Sequence, residues 1–112
     1  MTKLSDVELL RKAAYAAGYE VVTLNPASDE DDCPLYCTVR MPAPGAYLTE
    51  WNPIEDNRDA FELGVHMNIM FNGSLKTLYY KYLNEDKLEP DAAMRLAIVT
   101  LVSRILPKET PK

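Results

Sequence analysis

Residues 51–64 read WNPIEDNRDAFELG, a run that holds a large aromatic, a turn, a helix start and an apolar helical stripe. Asn52 precedes Pro53, and the proline ring pushes it away from helical angles, so the chain enters the run extended. Asp56 can accept from the free amides of a first helical turn, and Asp59 puts negative charge at the positive end of the helix dipole. Ala60, Leu63, Gly64 and Met67 then recur on one face, which predicts a helix over 57–67 with Trp51 as an apolar plug against it.

Toward the N-terminus, Ser5 and Glu8 stand at capping-box spacing, with Leu4 and Leu9 placed as a hydrophobic staple. Leu10, Ala13, Ala14 and Ala17 follow at helical spacing, and Gly18 can take the left-handed turn that closes a helix over 6–17. YEVVTL at 19–24 is aromatic and β-branched and reads as a strand. PASDEDDCP at 26–34 has two prolines and four acids and reads as a solvated loop. In LYCTVRM at 35–41, Leu35, Cys37, Val39 and Met41 alternate with Tyr36, Thr38 and Arg40, as in a strand with Cys37 facing the core. A connection over 42–50 leaves room for a short extended piece at 46–49.

Toward the C-terminus, Asn72-Gly73 is a strong two-residue hairpin signal, because both residues tolerate the positive φ of a type I′ turn. It predicts antiparallel strands over 68–71 and 74–83. Pro90 and Asp91 start a last helix, whose stripe is Met94, Ile98, Leu101, Val102 and Ile105, and Pro107 stops it. The expected order is α-β-β-α-β-β-α, an α+β domain over 1–107 with about four mainly antiparallel strands under packed helices, and a tail at 108–112.

The chain has 112 residues, 47% of them hydrophobic, enough for one domain with a core that needs no staples. No apolar run approaches the ~20 residues of a membrane span, and the first ten residues carry acids where a signal peptide is apolar. A cytoplasmic location is therefore expected, without membrane contact. Net charge is −5, most of it from Asp29, Glu30, Asp31 and Asp32. The acidity is local, and no basic face suited to nucleic acid is legible. Cys33 and Cys37 on one strand would stand ~13 Å apart, too far to bridge, so reduced thiols are expected.

The pattern Trp51, Asn52, Pro53, Ile54, Asp56, Asp59, Ala60 and Leu63, followed by the alanine-rich AAMRLAIVTLV at 92–102 with its arginine, resembles a group of small, mostly uncharacterised phage and prophage proteins. Ile54 stands where that pattern has leucine, and neither the acidic loop nor CPLYC at 33–37 belongs to it. The resemblance implies a viral or prophage origin and carries no catalytic residue.

No nucleophile-base pair or phosphate-cradling glycine loop is legible, and neither catalysis nor a cofactor is expected. Cys33, Cys37 and His66 would give zinc three ligands of the four a structural site uses. The acidic run lacks the alternating ligands and turn glycine of an EF-hand. Glu55 with Asp59, and Glu85 with Glu89, are first explained by helix capping and the dipole. The expected activity is therefore protein binding, through the acidic loop Asp29, Glu30, Asp31 and Asp32 or through Tyr79, Tyr80 and Tyr82, of which Tyr80 and Tyr82 would share a strand face opposite Tyr79. Its concrete form is inhibition of a host defence complex, carboxylates standing where nucleic-acid phosphates would lie on a basic surface. The alternative is a virion structural or assembly protein acting by self-association, as a homo-oligomer.

Overall fold

The computed structural model describes residues 6–25, 35–41 and 47–105. In chain order these form α1 (Asp6–Ala17), β1 (Glu20–Asn25), β2 (Tyr36–Arg40), β3 (Leu48–Glu50), α2 (Asn57–His66), α3 (Gly73–Asn84) and α4 (Pro90–Ser103). The fold is α+β, with a three-stranded antiparallel sheet in the order β1-β2-β3.

α1 buries Val7, Leu9, Leu10, Ala13, Ala14 and Ala17 and leaves Arg11 and Lys12 in water. It closes as the sequence predicts: Gly18 takes φ 85°, Tyr19 N–H donates to Ala14 O and Gly18 N–H to Tyr15 O. The expected cap at Ser5 and staple at Leu4 lie outside the described residues. In the sheet, Val21 faces Val39 and Leu24 faces Cys37, with a register shift between Val21 and Thr23. Cys37 and Val39 point into the core while Tyr36 and Arg40 point out, the alternation expected of a strand with one wet face.

The hairpin expected around Asn72-Gly73 is not there. Residues 68–71 form no strand, and 74–83 lie in the helix α3, so the order is α-β-β-β-α-α-α and the sheet has three strands. Asn72 is extended, at φ −78° and ψ 133°, and its side-chain oxygen accepts from Ser74 N–H at 2.7 Å. The residue that could have turned a hairpin caps a helix instead. Leu75, Leu78 and Tyr82 then fall on one buried face, and burial of that stripe outweighs the β preference of the tyrosines.

α4 is the common support. α1, α2 and α3 each pack against it, and Ala93 and Ala97, fully buried, let their backbones come close. Ile98, Val99 and Val102 fill the space between, and the Tyr82 hydroxyl meets Thr100 Oγ1 at 3.0 Å, partnering the one buried polar side chain of α4. The helices thus gather around α4, and the sheet enters the core from one side through Cys37 and Val39.

Candidate functional site

The 51–59 run is a joint between sheet, α2 and α4. Trp51 is 3% exposed, donates its amide to Cys37 O at 2.8 Å and meets Tyr19 edge to face at 5.5 Å. Asn52 Oδ1 accepts from the amides of Ile54 and Glu55, and buried Pro53 fixes the bend between them. Asp56 caps α2 by accepting from Asp59 N–H at 2.9 Å, and Asp59 reaches back to Asn52 N–H at 2.9 Å. Arg95 of α4 closes the joint, with Nε donating to Ile54 O at 2.7 Å and Nη1 to Asn57 Oδ1 at 2.6 Å. Asn52, Asp56, Asn57 and Asp59 thus spend side-chain groups on holding the joint, while Glu55 and Arg58 face water.

A polar cleft of about 300 Å³ beside this joint is lined by Tyr36, Cys37, Glu50, Glu55, Asp56 and Asp59 among others. Burial pushes the Asp59 carboxyl above the usual aspartate range, and the Asn52 amide offsets part of that. Asp56 and Asp59 each spend one carboxylate oxygen on a backbone amide. Among the described residues no group of three or more His, Cys, Asp or Glu could hold a metal ion. Cys37 is buried, with its thiol pushed up to about 11 by burial. His66 Nε2 donates to Ala17 O at 3.0 Å with its ring stacked on Tyr19. Cys33, the third residue weighed as a ligand, lies outside the described residues.

The opposite character appears where α2, the 67–72 turn, α3 and the first turns of α4 meet. Two adjoining hollows, of about 340 and 210 Å³, share Met70 and Met94. The larger is walled by Phe71, Leu75, Lys76, Tyr79 and Tyr80, and the smaller by Ala60, Phe61, Asp91, Arg95 and Ile98. Together they make one apolar trough with two methionines in its floor. Its rim is aromatic and wet: Phe71 is 101% exposed, Phe61 59% and Tyr80 48%. Single exposed aromatics are common, whereas here three stand around one depression.

The trough takes in part of the tyrosine cluster singled out in the sequence. Tyr79 and Tyr80 line it, their rings 5.2 Å apart. Tyr82 is buried at the back of α3, hydrogen-bonded to Thr100. On a strand Tyr80 and Tyr82 would share a face; on this helix Tyr79 lies one turn from Tyr82, and Tyr80 turns to solvent. Asp29, Glu30, Asp31 and Asp32 lie outside the described residues. Phe61, Met70, Phe71 and Met94 were not legible as a set, because three separate segments bring them together. The signal available was local: Phe61 falls off the apolar stripe of α2, and Phe71 stands beside a helix cap.

Comparison with protein-family models, curated proteins and solved structures finds no match. No helix among the described residues is long and apolar enough to cross a membrane.

Proposed function

We propose that this chain is a non-enzymatic phage or prophage accessory protein that acts by binding another protein, and that the trough over Met70 and Met94 is its contact surface. The supporting observation is the rim of Phe61, Phe71 and Tyr80, exposed to water around an apolar floor. Aromatic residues around a depression are what the energetic centre of a protein interface needs, and methionine adapts its shape to an incoming side chain. Asp56 and Asp59 each hold a backbone amide at the start of α2, a capping role that accounts for acids at that position. The viral origin rests on the sequence pattern of 51–63 and 92–102.

Inhibition of a host defence complex is the concrete form of this reading, with Asp29, Glu30, Asp31 and Asp32 supplying a second, electrostatic contact to a basic surface. Affinity capture from infected cells tests it with three baits: the full chain, a Phe61→Ser/Phe71→Ser form, and a form with the four acids changed to Asn or Gln. A partner held by the first and lost from the second supports the trough. Loss from the third, with a flatter salt dependence, supports the acidic contact. A partner indifferent to both variants, or no stoichiometric partner, overturns the reading.

Self-association in a virion is the second reading. It draws on the sheet, where Val22, Tyr36, Tyr47 and Leu48 are each more than two-fifths exposed and β1 and β3 are edge strands. Light scattering over a concentration series decides between the two: a mass that stays monomeric removes self-association.

A further inference from the structure

We propose that Asn72-Gly73 is a self-modification site, at which the Asn72 side chain cyclises onto Gly73 and hydrolyses to aspartate or isoaspartate, and that the first turn of α3 is the gate holding this reaction closed. The chemistry needs water and no partner.

The reactive pair is set by sequence. The backbone nitrogen after an asparagine can attack its Cγ and close a five-membered imide; a side chain on that next residue obstructs the attack, and glycine has none. Asn25 and Asn52 precede proline, which has no N–H to give up, and Asn57, Asn68 and Asn84 precede Arg58, Ile69 and Glu85. Asn72 alone precedes glycine. Both residues are exposed, and a side chain at position 73 would meet nothing within 4 Å. In the reaction Gly73 N gives its proton to hydroxide and bonds to Asn72 Cγ. The side-chain nitrogen takes a proton from water and leaves as ammonia, and water then opens the imide at either carbonyl. One water is consumed, one ammonia released and one carboxylate gained.

The fold opposes the first step. Ring closure needs Gly73 N on the same side of the Asn72 Cα–C bond as Cβ, whereas ψ of 133° turns it well away. Reaching the reactive geometry means rotating that bond, and hydrogen bonds on every side resist. The Asn72 carbonyl turns with the bond, and it accepts from Leu75 N–H at 3.0 Å. Asn72 Oδ1 accepts from Ser74 N–H at 2.7 Å, and Asn72 N–H donates to Ile69 O at 3.0 Å. Ile69 and Leu75, each 3% exposed, anchor both ends of this turn in the core. Cyclisation therefore waits on local opening of the first turn of α3. The two products then part ways. Aspartate keeps an acceptor at the N-cap and adds negative charge at the positive end of the dipole, so α3 closes again. Isoaspartate routes the main chain through the side-chain carbon, which lengthens it by a methylene between Phe71 and Leu75 and abolishes the cap.

The test incubates the full chain at mildly alkaline pH in buffer, in urea below the unfolding midpoint and in urea above it. Peptide mapping by mass spectrometry follows conversion at each asparagine, and an isoaspartate-specific methyltransferase counts the isoaspartate. Conversion at Asn72 should be about tenfold or more slower in buffer than in the unfolded chain, and should rise with urea before the global transition, as for a local opening. Gly73→Ala should slow conversion in the unfolded chain; the site is open and its φ is not positive, so the variant should fold. Asn72→Asp should keep the native helical dichroism, while the purified isoaspartate form should lose part of it. Equal rates in buffer and in unfolding urea would overturn the gate. No conversion at Asn72 in urea, or conversion no faster than at the other asparagines, would overturn the site, and an isoaspartate form with native helicity would overturn the fate assigned to it.

Discussion

Arg95 shows how one side chain carries the joint between α4 and the 51–59 run. Its guanidinium makes two short hydrogen bonds, to Ile54 O and to Asn57 Oδ1, and each uses a charged donor on a neutral acceptor. Arg95→Ala should therefore lower stability by about 2–3 kcal/mol, read as a shift in the urea midpoint at unchanged slope. Arg95→Lys should recover only part of this, because an ammonium cannot span both acceptors as the planar fork does. Cys37 gives a prediction in pH. Its thiol ordinarily ionises at 9.0 and burial raises it to about 11, with Arg11 offsetting a little. Between those values the unfolded chain sheds the proton that the fold retains. Stability should fall as pH rises from 9.0 toward 11, and the thiol contributes no slope below that window. The difference in pH slope between the native chain and Cys37→Ala isolates this effect, and a native thiol that reacts as fast as a free one at pH 8 would contradict it.

The elements differ in how plainly the sequence announces them, and the physical reason differs each time. α1, β2 and α2 each carry a local period, with Gly18 at the close of α1, Asp56 at the start of α2 and alternation around Cys37 and Val39 in β2, while β1 is announced by its aromatic and β-branched composition. α3 carries conflicting signals. Asn72-Gly73 suits a hairpin and an N-cap equally, and the tyrosines favour a strand by propensity, while the deciding period, Leu75, Leu78 and Tyr82, needs the α4 surface to become visible as a buried face. The cap itself can be measured. Asn72→Ala removes the acceptor for Ser74 N–H and should cost about 1 kcal/mol, seen as an earlier loss of helical dichroism in urea. Had this segment formed a hairpin, the same substitution would instead disturb a turn, and the helical signal before denaturation would be unchanged.

At the scale of the molecule, α4 serves two purposes on two sides. Ala93, Ala97, Val99 and Val102 face the core, while Met94 opens into the trough, and Ile98 belongs to both. No local reading could find that trough, because its residues come from α2, the 67–72 turn, α3 and α4, which only the packed fold brings together. What couples core to surface is the seam between α2 and α4, where Gly64 is buried and Met70 lies over it. A Cβ at Gly64 would run into Met70 Sδ, while Ile98 Cγ2 would stay in ordinary contact at 3.6 Å. The clashing atom is the flexible end of a methionine, so it can swing aside, and alanine adds helix propensity that glycine lacks, about 1 kcal/mol. Gly64→Ala should therefore leave stability within about 1 kcal/mol of the native chain, the gain in propensity set against the forced rotamer. Binding should respond differently. Met70 is shared by both hollows, and moving its thioether changes the floor of the contact surface proposed above. A fall in partner affinity of about tenfold with little change in the thermal midpoint would separate recognition from folding at this seam. Equal affinity in Gly64→Ala would mean that the partner does not reach the Met70 floor and touches only the aromatic rim.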